Sequence, residues 1–254
     1  MKKRIHPAKI VILILLGLVL LMAGGFILWA QGAYPADDTA LLAMAGTAEA
    51  KVTDNGAYVF FDPLPSAGTV EKGKIGLIFY PGGKVKPEAY APLLLQVAAS
   101  GHPVVLCRMP LNLAVLKNGS AADVFAMRSD TRWAIGGHSL GGSMAAFYAY
   151  KHPGAVAGLV LLGSYPAEGN SFASSTLPVL SVFGSMDMGI DKIRQYKPLL
   201  PASTAFVELE GGNHAQFGNY GFQAGDGTAT MPRLQQQNLA LKAIVHFLDG
   251  LAAR

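Results

Sequence analysis

The sequence predicts an α/β domain with a mostly parallel central sheet flanked by helices, preceded by an N-terminal transmembrane helix. Three observations carry that expectation. From residue 74 onward, short and nearly continuous apolar runs alternate with helical patterns, as strands buried on both faces of a parallel sheet require. Residues 10–30 form a run of 21 residues without a formal charge, a helix about 30 Å long that matches a bilayer core. Hydrophobic residues make up 51% of the 254-residue chain and charged residues 14%, which excludes a disordered acidic or basic chain.

The N-terminal run is flanked asymmetrically. Lys2, Lys3, Arg4 and Lys9 precede it, and Asp37 and Asp38 follow, so the amino terminus is expected in the cytoplasm. Trp29 stands where an interface anchor belongs. Two readings remain open: a retained anchor, with the domain held outside the cytoplasm, or a signal peptide cleaved to release it. The apolar run exceeds the roughly 7–15 residues usual for a signal, whereas small residues around Ala30, Gly32 and Ala33 permit cleavage. The expected division is a basic tail over 1–9, the span over 10–30, a linker with peripheral elements over 31–73, and the core over 74–254.

The formal charge of +4 is misleading. Removing the four basic residues ahead of the span from the 20 Lys and Arg leaves 16, against 16 Asp and Glu. A neutral remainder gives no electrostatic footprint for nucleic acid, and no such partner is expected. The one cysteine, Cys107, cannot close an internal disulfide or build a cysteine-rich metal site. It is expected to be a buried strand residue.

The remaining elements follow in order. Residues 31–50 are alanine-rich and fit a short helix or linker. Tyr58–Pro63 reads as a strand, residues 65–68 as a turn, and residues 74–80 as a strand ended by Pro81-Gly82-Gly83. A helix toward Gly101 opens at Pro87, or nearer Tyr90 because of Pro92. Strands are expected at 103–108, 131–135, 158–162, 178–184 and 205–209. Helices are expected at 120–128, 140–151, 191–200 and 233–251. The 224 residues from Gln31 onward suffice for one such domain.

The sharpest chemical signal is Gly137-His138-Ser139-Leu140-Gly141, followed by Gly142. A strand enters and an alanine-rich helix leaves, so Ser139 falls on a tight strand-to-helix turn. Glycines two residues to either side let neighbouring backbone approach. The hydroxyl projects above the sheet, and the Leu140 N–H faces an oxygen on which charge develops. Next to it, His138 is expected to pack or orient the turn.

With the earlier Tyr80-Pro81-Gly82-Gly83 and the later Gly211-Gly212-Asn213-His214, this stretch resembles the α/β-hydrolase family over about residues 74–251. The match is closest to the small capless branch of dienelactone-hydrolase-like and serine esterase proteins, on Tyr80–Tyr90, Gly136–Gly142 and Gly211–Gly221. The resemblance implies an α/β-hydrolase fold without a large cap, since only about fifteen residues separate the strands ending at Leu162 and starting at Pro178.

It also implies a charge relay. Among the six histidines, His214 arrives after the last strand, where the family's base arrives. Asp187 follows the 178–184 strand, 48 residues after Ser139 and 27 before His214, which reproduces the Ser–Asp–His order. Asp191 is the nearest competitor, Glu210 is peripheral, and Asp226 would break the order. The second oxyanion donor is expected from the N–H of Gly83 or Lys84. Glu88 and Tyr90 on that side, Asn112 and Leu113 on another edge, and Met186, Met188, Phe217 and Tyr220 as apolar walls are the expected pocket residues.

The implied activity is that of a serine hydrolase cleaving a carboxylic ester, lactone or related acyl bond through an acyl-serine intermediate. No cofactor or metal is expected. The expected substrate is a small-molecule or lipid-like acyl compound. The alternative is a non-catalytic, membrane-anchored binding or scaffold protein of the same fold.

Overall fold

The computed structural model describes residues 7–65 and 75–253. Lys2, Lys3, Arg4, positions 66–68 of the expected turn and the first residue of the expected 74–80 strand lie outside the described residues.

Eight strands form one sheet: β1 (Ala50–Asp54), β2 (Tyr58–Pro63), β3 (Gly76–Tyr80), β4 (Val104–Cys107), β5 (Trp133–His138), β6 (Leu159–Leu162), β7 (Val179–Gly184) and β8 (Ala205–Leu209). Their spatial order is β1-β2-β4-β3-β5-β6-β7-β8. The first two pairings are antiparallel, and every pairing from β4 to β8 is parallel. Among the described residues seven α-helices accompany the sheet: α1 (Pro7–Gln31), α2 (Asp38–Ala43), α3 (Ala91–Ala99), α4 (Ser120–Met127), α5 (Leu140–Lys151), α6 (Ile190–Tyr196) and α7 (Arg233–Ala252).

Alternation along β3 explains why both faces must be covered. Leu77 and Phe79 join the core beneath α3 and α7, whereas Ile78 and Tyr80 join the core beneath α4 and α5. All four are fully buried. Truncating such a side chain to alanine costs about 2–5 kcal/mol.

Three departures from the expected elements have local causes. β1 was not expected, because Lys51, Thr53 and Asp54 are polar. It is an edge strand paired on one side only, with these residues exposed. β5 runs three residues past Ile135 to His138, since Gly136 and Gly137 continue the ladder with β3 and β6. The helix expected over 191–200 ends at Tyr196, and a 3-10 turn over Lys197–Leu199 takes up Pro198.

α1 contains a stretch, Ala8–Gln31, long and apolar enough to cross a bilayer, and none of its most apolar window is buried. One such helix near the amino terminus fits either an anchor or a signal sequence. Cys107 is buried and unbridged in β4.

Candidate active site

Ser139 links β5 to α5 with φ 53° and ψ −125°. A serine gains nothing intrinsic from that region, which costs about 1–3 kcal/mol. The surroundings hold it there. The Ser139 N–H donates to the Leu162 carbonyl at 3.0 Å, and its carbonyl accepts from the Ser164 hydroxyl at 2.7 Å and the Ser143 N–H at 3.1 Å. Gly141 is needed for the close approach of α5: a Cβ there would lie 2.2 Å from the Tyr80 carbonyl oxygen and 2.3 Å from that of Pro81.

The loop after β8 delivers His214 to the same cleft that Ser139 lines, a hollow of about 390 Å³. The His214 Nδ1 lies 3.0 Å from both carboxylate oxygens of Asp187. Both residues are buried, so the contact is shielded from water and screening salt. Asp187 is oriented in turn by the Gly189 N–H, 2.7 Å from Oδ1. Asp191 is exposed in the first turn of α6 and Glu210 is exposed beyond β8.

Asp226 has a part that its position in the sequence did not announce. Its carboxylate accepts from the N–H groups of Met188 at 3.1 Å, His214 at 3.2 Å and Ala215 at 2.8 Å. It therefore ties the Asp187 loop to the His214 loop. The signal available in advance was only that a carboxylate follows a glycine-rich loop rich in unpaired amides.

His138 lies beneath the cleft, fully buried, its ring centre 4.4 Å from that of His214. The Gly82 N–H donates to the Tyr90 hydroxyl at 3.0 Å, and that hydroxyl lies 2.8 Å from His138 Nδ1. Desolvation, reinforced by the nearby His214, holds the His138 imidazole well below the usual histidine range. Burial likewise pushes the Tyr90 phenol upward. The Tyr90 hydroxyl and the neutral His138 imidazole thus share one hydrogen bond, and with the Gly82 N–H it joins the Ser139 turn to the loop after β3.

The loop after β3 brings Gly83 against Leu140, where a Cβ on Gly83 would meet Leu140 Cδ2 at 2.9 Å. The Gly83 N–H has no acceptor among the described residues. Lys84 differs from expectation. Its N–H donates to the Asn112 carbonyl at 2.8 Å, so it is already engaged, and of the two amides only that of Gly83 stays free among the described residues.

Several expected pocket residues lie elsewhere. Tyr90 and Phe217 are fully buried and Tyr220 nearly so; they support the site from below and do not wall it. Glu88 is paired with Arg108, which also binds Asp54 at 2.6 Å. Asn112 acts through its carbonyl on Lys84. Met186 is exposed outside the cleft. Of the expected walls Met188 does line the cleft, together with Leu140, Ser143, Ser164, Tyr165, Lys192 and Gln223. Ser164 and Tyr165 follow the carboxyl end of β6, and that placement was the signal that could have found them. Residues between β6 and β7 form no helix, so that segment supplies no helical cap.

A mostly parallel sheet with a strained serine at the β5–α5 turn, sharing one cleft with a histidine that a buried aspartate contacts, defines the α/β-hydrolase class. The chain belongs to that family: residues 76–238 match the profile described as the Alpha/beta hydrolase family. No curated protein matches the chain in sequence. Among solved structures, a bacterial membrane phospholipase A is 17% identical with a TM-score of 0.58, covering 94% of this chain and 98% of its own. Carboxyl esterase 2 from the mycorrhizal fungus Tuber melanosporum is 13% identical with a TM-score of 0.58, covering 86% and 91%. Dienelactone hydrolase from Anabaena variabilis is 16% identical with a TM-score of 0.54, covering 78% and 96%. At these identities the likeness is one of fold.

Proposed function

We propose that the protein is a serine hydrolase that cleaves a carboxylic ester or related acyl bond through an acyl-Ser139 intermediate. The observation that carries this reading is the buried His214–Asp187 contact, in a cleft shared with the strained Ser139. A serine hydroxyl is a weak nucleophile at neutral pH and needs a base beside it.

In the proposed reaction, His214 Nε2 takes the Ser139 proton as Oγ attacks the acyl carbon. Asp187 keeps the other ring nitrogen protonated and stabilises the imidazolium. The oxyanion sits between the N–H groups of Leu140 and Gly83, the first of them at the amino end of α5. His214 then gives its proton to the leaving alcohol. Water, activated in the same way, releases the acid and restores Ser139. Every step uses groups that the chain itself supplies.

The test is treatment of the full-length protein in detergent with a fluorophosphonate, the adduct being located by peptide mass spectrometry. Labelling at Ser139, abolished in Ser139→Ala and strongly slowed in His214→Ala, is the expected result. A folded protein that takes no label near neutral pH would refute the reading and return the chain to a binding or scaffold role.

A further inference from the structure

The end of the apolar helix and the cleft occupy one edge of the sheet. Loops after the carboxyl ends of parallel strands share that edge. Here they carry Gly83 and Lys84 after β3, Pro110–Leu116 after β4, Ser139 after β5, Met188 after β7, and His214 through Phe222 after β8.

α1 ends on the same edge. The Lys84 ammonium lies 4.2 Å from the centre of the Trp29 ring, Ala30 is fully buried, and the last turns of α1 pack against Pro110–Asn112. The chain beyond it is held against the loops after β3 and β8. The Tyr34 N–H donates to the Lys84 carbonyl at 2.7 Å, and the Tyr34 carbonyl accepts from the Lys86 N–H at 3.0 Å. Next to it, the Asp37 N–H donates to the Asn219 carbonyl at 2.8 Å, and its carboxylate meets Arg233 at 2.8 Å. Contacts run without a gap from Trp29 through Lys84 and Gly83 to Leu140, the neighbour of Ser139. The helix thus meets the domain at its carboxyl end. Its residues 8–29 are all exposed and project away from the domain.

The same edge displays apolar side chains that the described residues leave exposed: Val115, Leu116, Met188 and Phe222, the last 71% exposed. Lys84 and Lys86 belong to the same edge, in the loop after β3. Exposed apolar residues with neighbouring lysines are what an anionic lipid surface binds.

We propose that this edge rests on the bilayer that α1 spans, and that the cleft takes an ester-linked acyl lipid from that bilayer. The proposal rests on the acyl-transfer reading above and adds the substrate class. The ester of a membrane lipid lies just below the headgroups, at the level that an edge seated on Leu116 and Phe222 reaches. Ser139 Oγ takes the acyl group, the remaining alcohol leaves with the proton carried by His214, and water releases a fatty acid. A cleft without a cap receives its dry cover from the membrane.

The experiment uses the full chain reconstituted in vesicles of phosphatidylcholine and phosphatidylglycerol, with and without diacylglycerol. Leu116→Cys and Phe222→Cys are labelled with a fluorophore and quenched by lipids carrying a nitroxide near the headgroup. Ser203→Cys, just ahead of the amino end of β8, is the control. Quenching about fivefold stronger at 116 and 222 than at 203 is expected for side chains seated in the interface. The double variant Leu116→Glu, Phe222→Glu should release fatty acid from vesicles about tenfold more slowly, because a charge must then enter the interface. Its rate on a soluble short-chain ester should stay that of the parent.

Comparing the two vesicle types distinguishes phospholipid from diacylglycerol as the source of the acyl group. Equal quenching at all three positions, vesicle turnover untouched by the double variant, or a membrane-isolated chain lacking residues 1–30 would each overturn the proposal. Strong quenching without fluorophosphonate labelling of Ser139 would retire the acyl-transfer reading and its lipid substrate while leaving the docked edge in place. Strong quenching with turnover of the soluble ester alone would retire the lipid substrate while leaving the acyl-transfer reading intact.

Discussion

Asp187 offers both carboxylate oxygens to one ring nitrogen of His214 from a buried position, and this makes its charge the test of the proposed relay. Asp187→Asn preserves shape but lets the wrong tautomer form. Turnover of a soluble ester should fall about 10³–10⁴-fold with little change in folding, as measured by steady-state kinetics beside a melting curve. Tyr90 is a positioning residue, because its hydroxyl acts on Gly82 and His138 and not on substrate. Tyr90→Phe keeps the ring and removes both hydrogen bonds. The expected outcome is a kcat about tenfold lower with KM nearly unchanged. The His138 tautomer, read by nitrogen NMR, should change as well, which a purely structural loss would not require.

At the scale of elements, the site depends on how closely α5 approaches the end of β3 and on how two loops are tied together. Gly141→Ala would drive a methyl into the backbone carbonyls of Tyr80 and Pro81, neither of which can rotate away. A loss of about 3 kcal/mol or more is expected, seen as a lowered midpoint in urea. Asp226 ties the His214 loop to the Asp187 loop through the Met188, His214 and Ala215 amides. Asp226→Ala should weaken that region by about 2–3 kcal/mol. Hydrogen exchange should quicken at those three amides first, with fluorophosphonate labelling slowed in parallel. Burial of β1 to β8 should remain as it was.

For the whole molecule, the buried neutral His138 sets a pH dependence of stability. Its folded-state pKa is lowered, chiefly by desolvation and then by His214. Below the ordinary histidine value the unfolded chain takes up a proton that the folded chain refuses, so stability falls as pH drops. The contribution approaches about 1.4 kcal/mol per pH unit. His138→Gln should therefore be less stable at neutral pH but lose stability less steeply between about pH 6.5 and pH 5. Denaturant titrations across that range measure the difference in slope.

Strands β2 to β8 and every long helix were legible in the sequence, because apolar period and turn residues are local properties that tertiary packing here reinforces. Ser139, Asp187 and His214 were readable as candidates for the same reason: each sits at a strand end marked by its own glycines or turn. β1 was not legible, since a polar edge strand owes its existence to the partner it pairs with. Other features depended on distance across the chain. The Lys84 amide is used by Asn112, Tyr90 joins Gly82 to His138, and Asp226 gathers amides from two loops. The linker after α1 is held by the loops after β3 and β8. Sequence by itself determined the alternation of elements, the strand-to-helix turn at Ser139 and the apolar helix, each written in neighbouring residues. Only the tertiary structure decided which amides stay free, which polar groups are already satisfied and which edge the helix leaves from, because those depend on contacts between residues far apart in the chain.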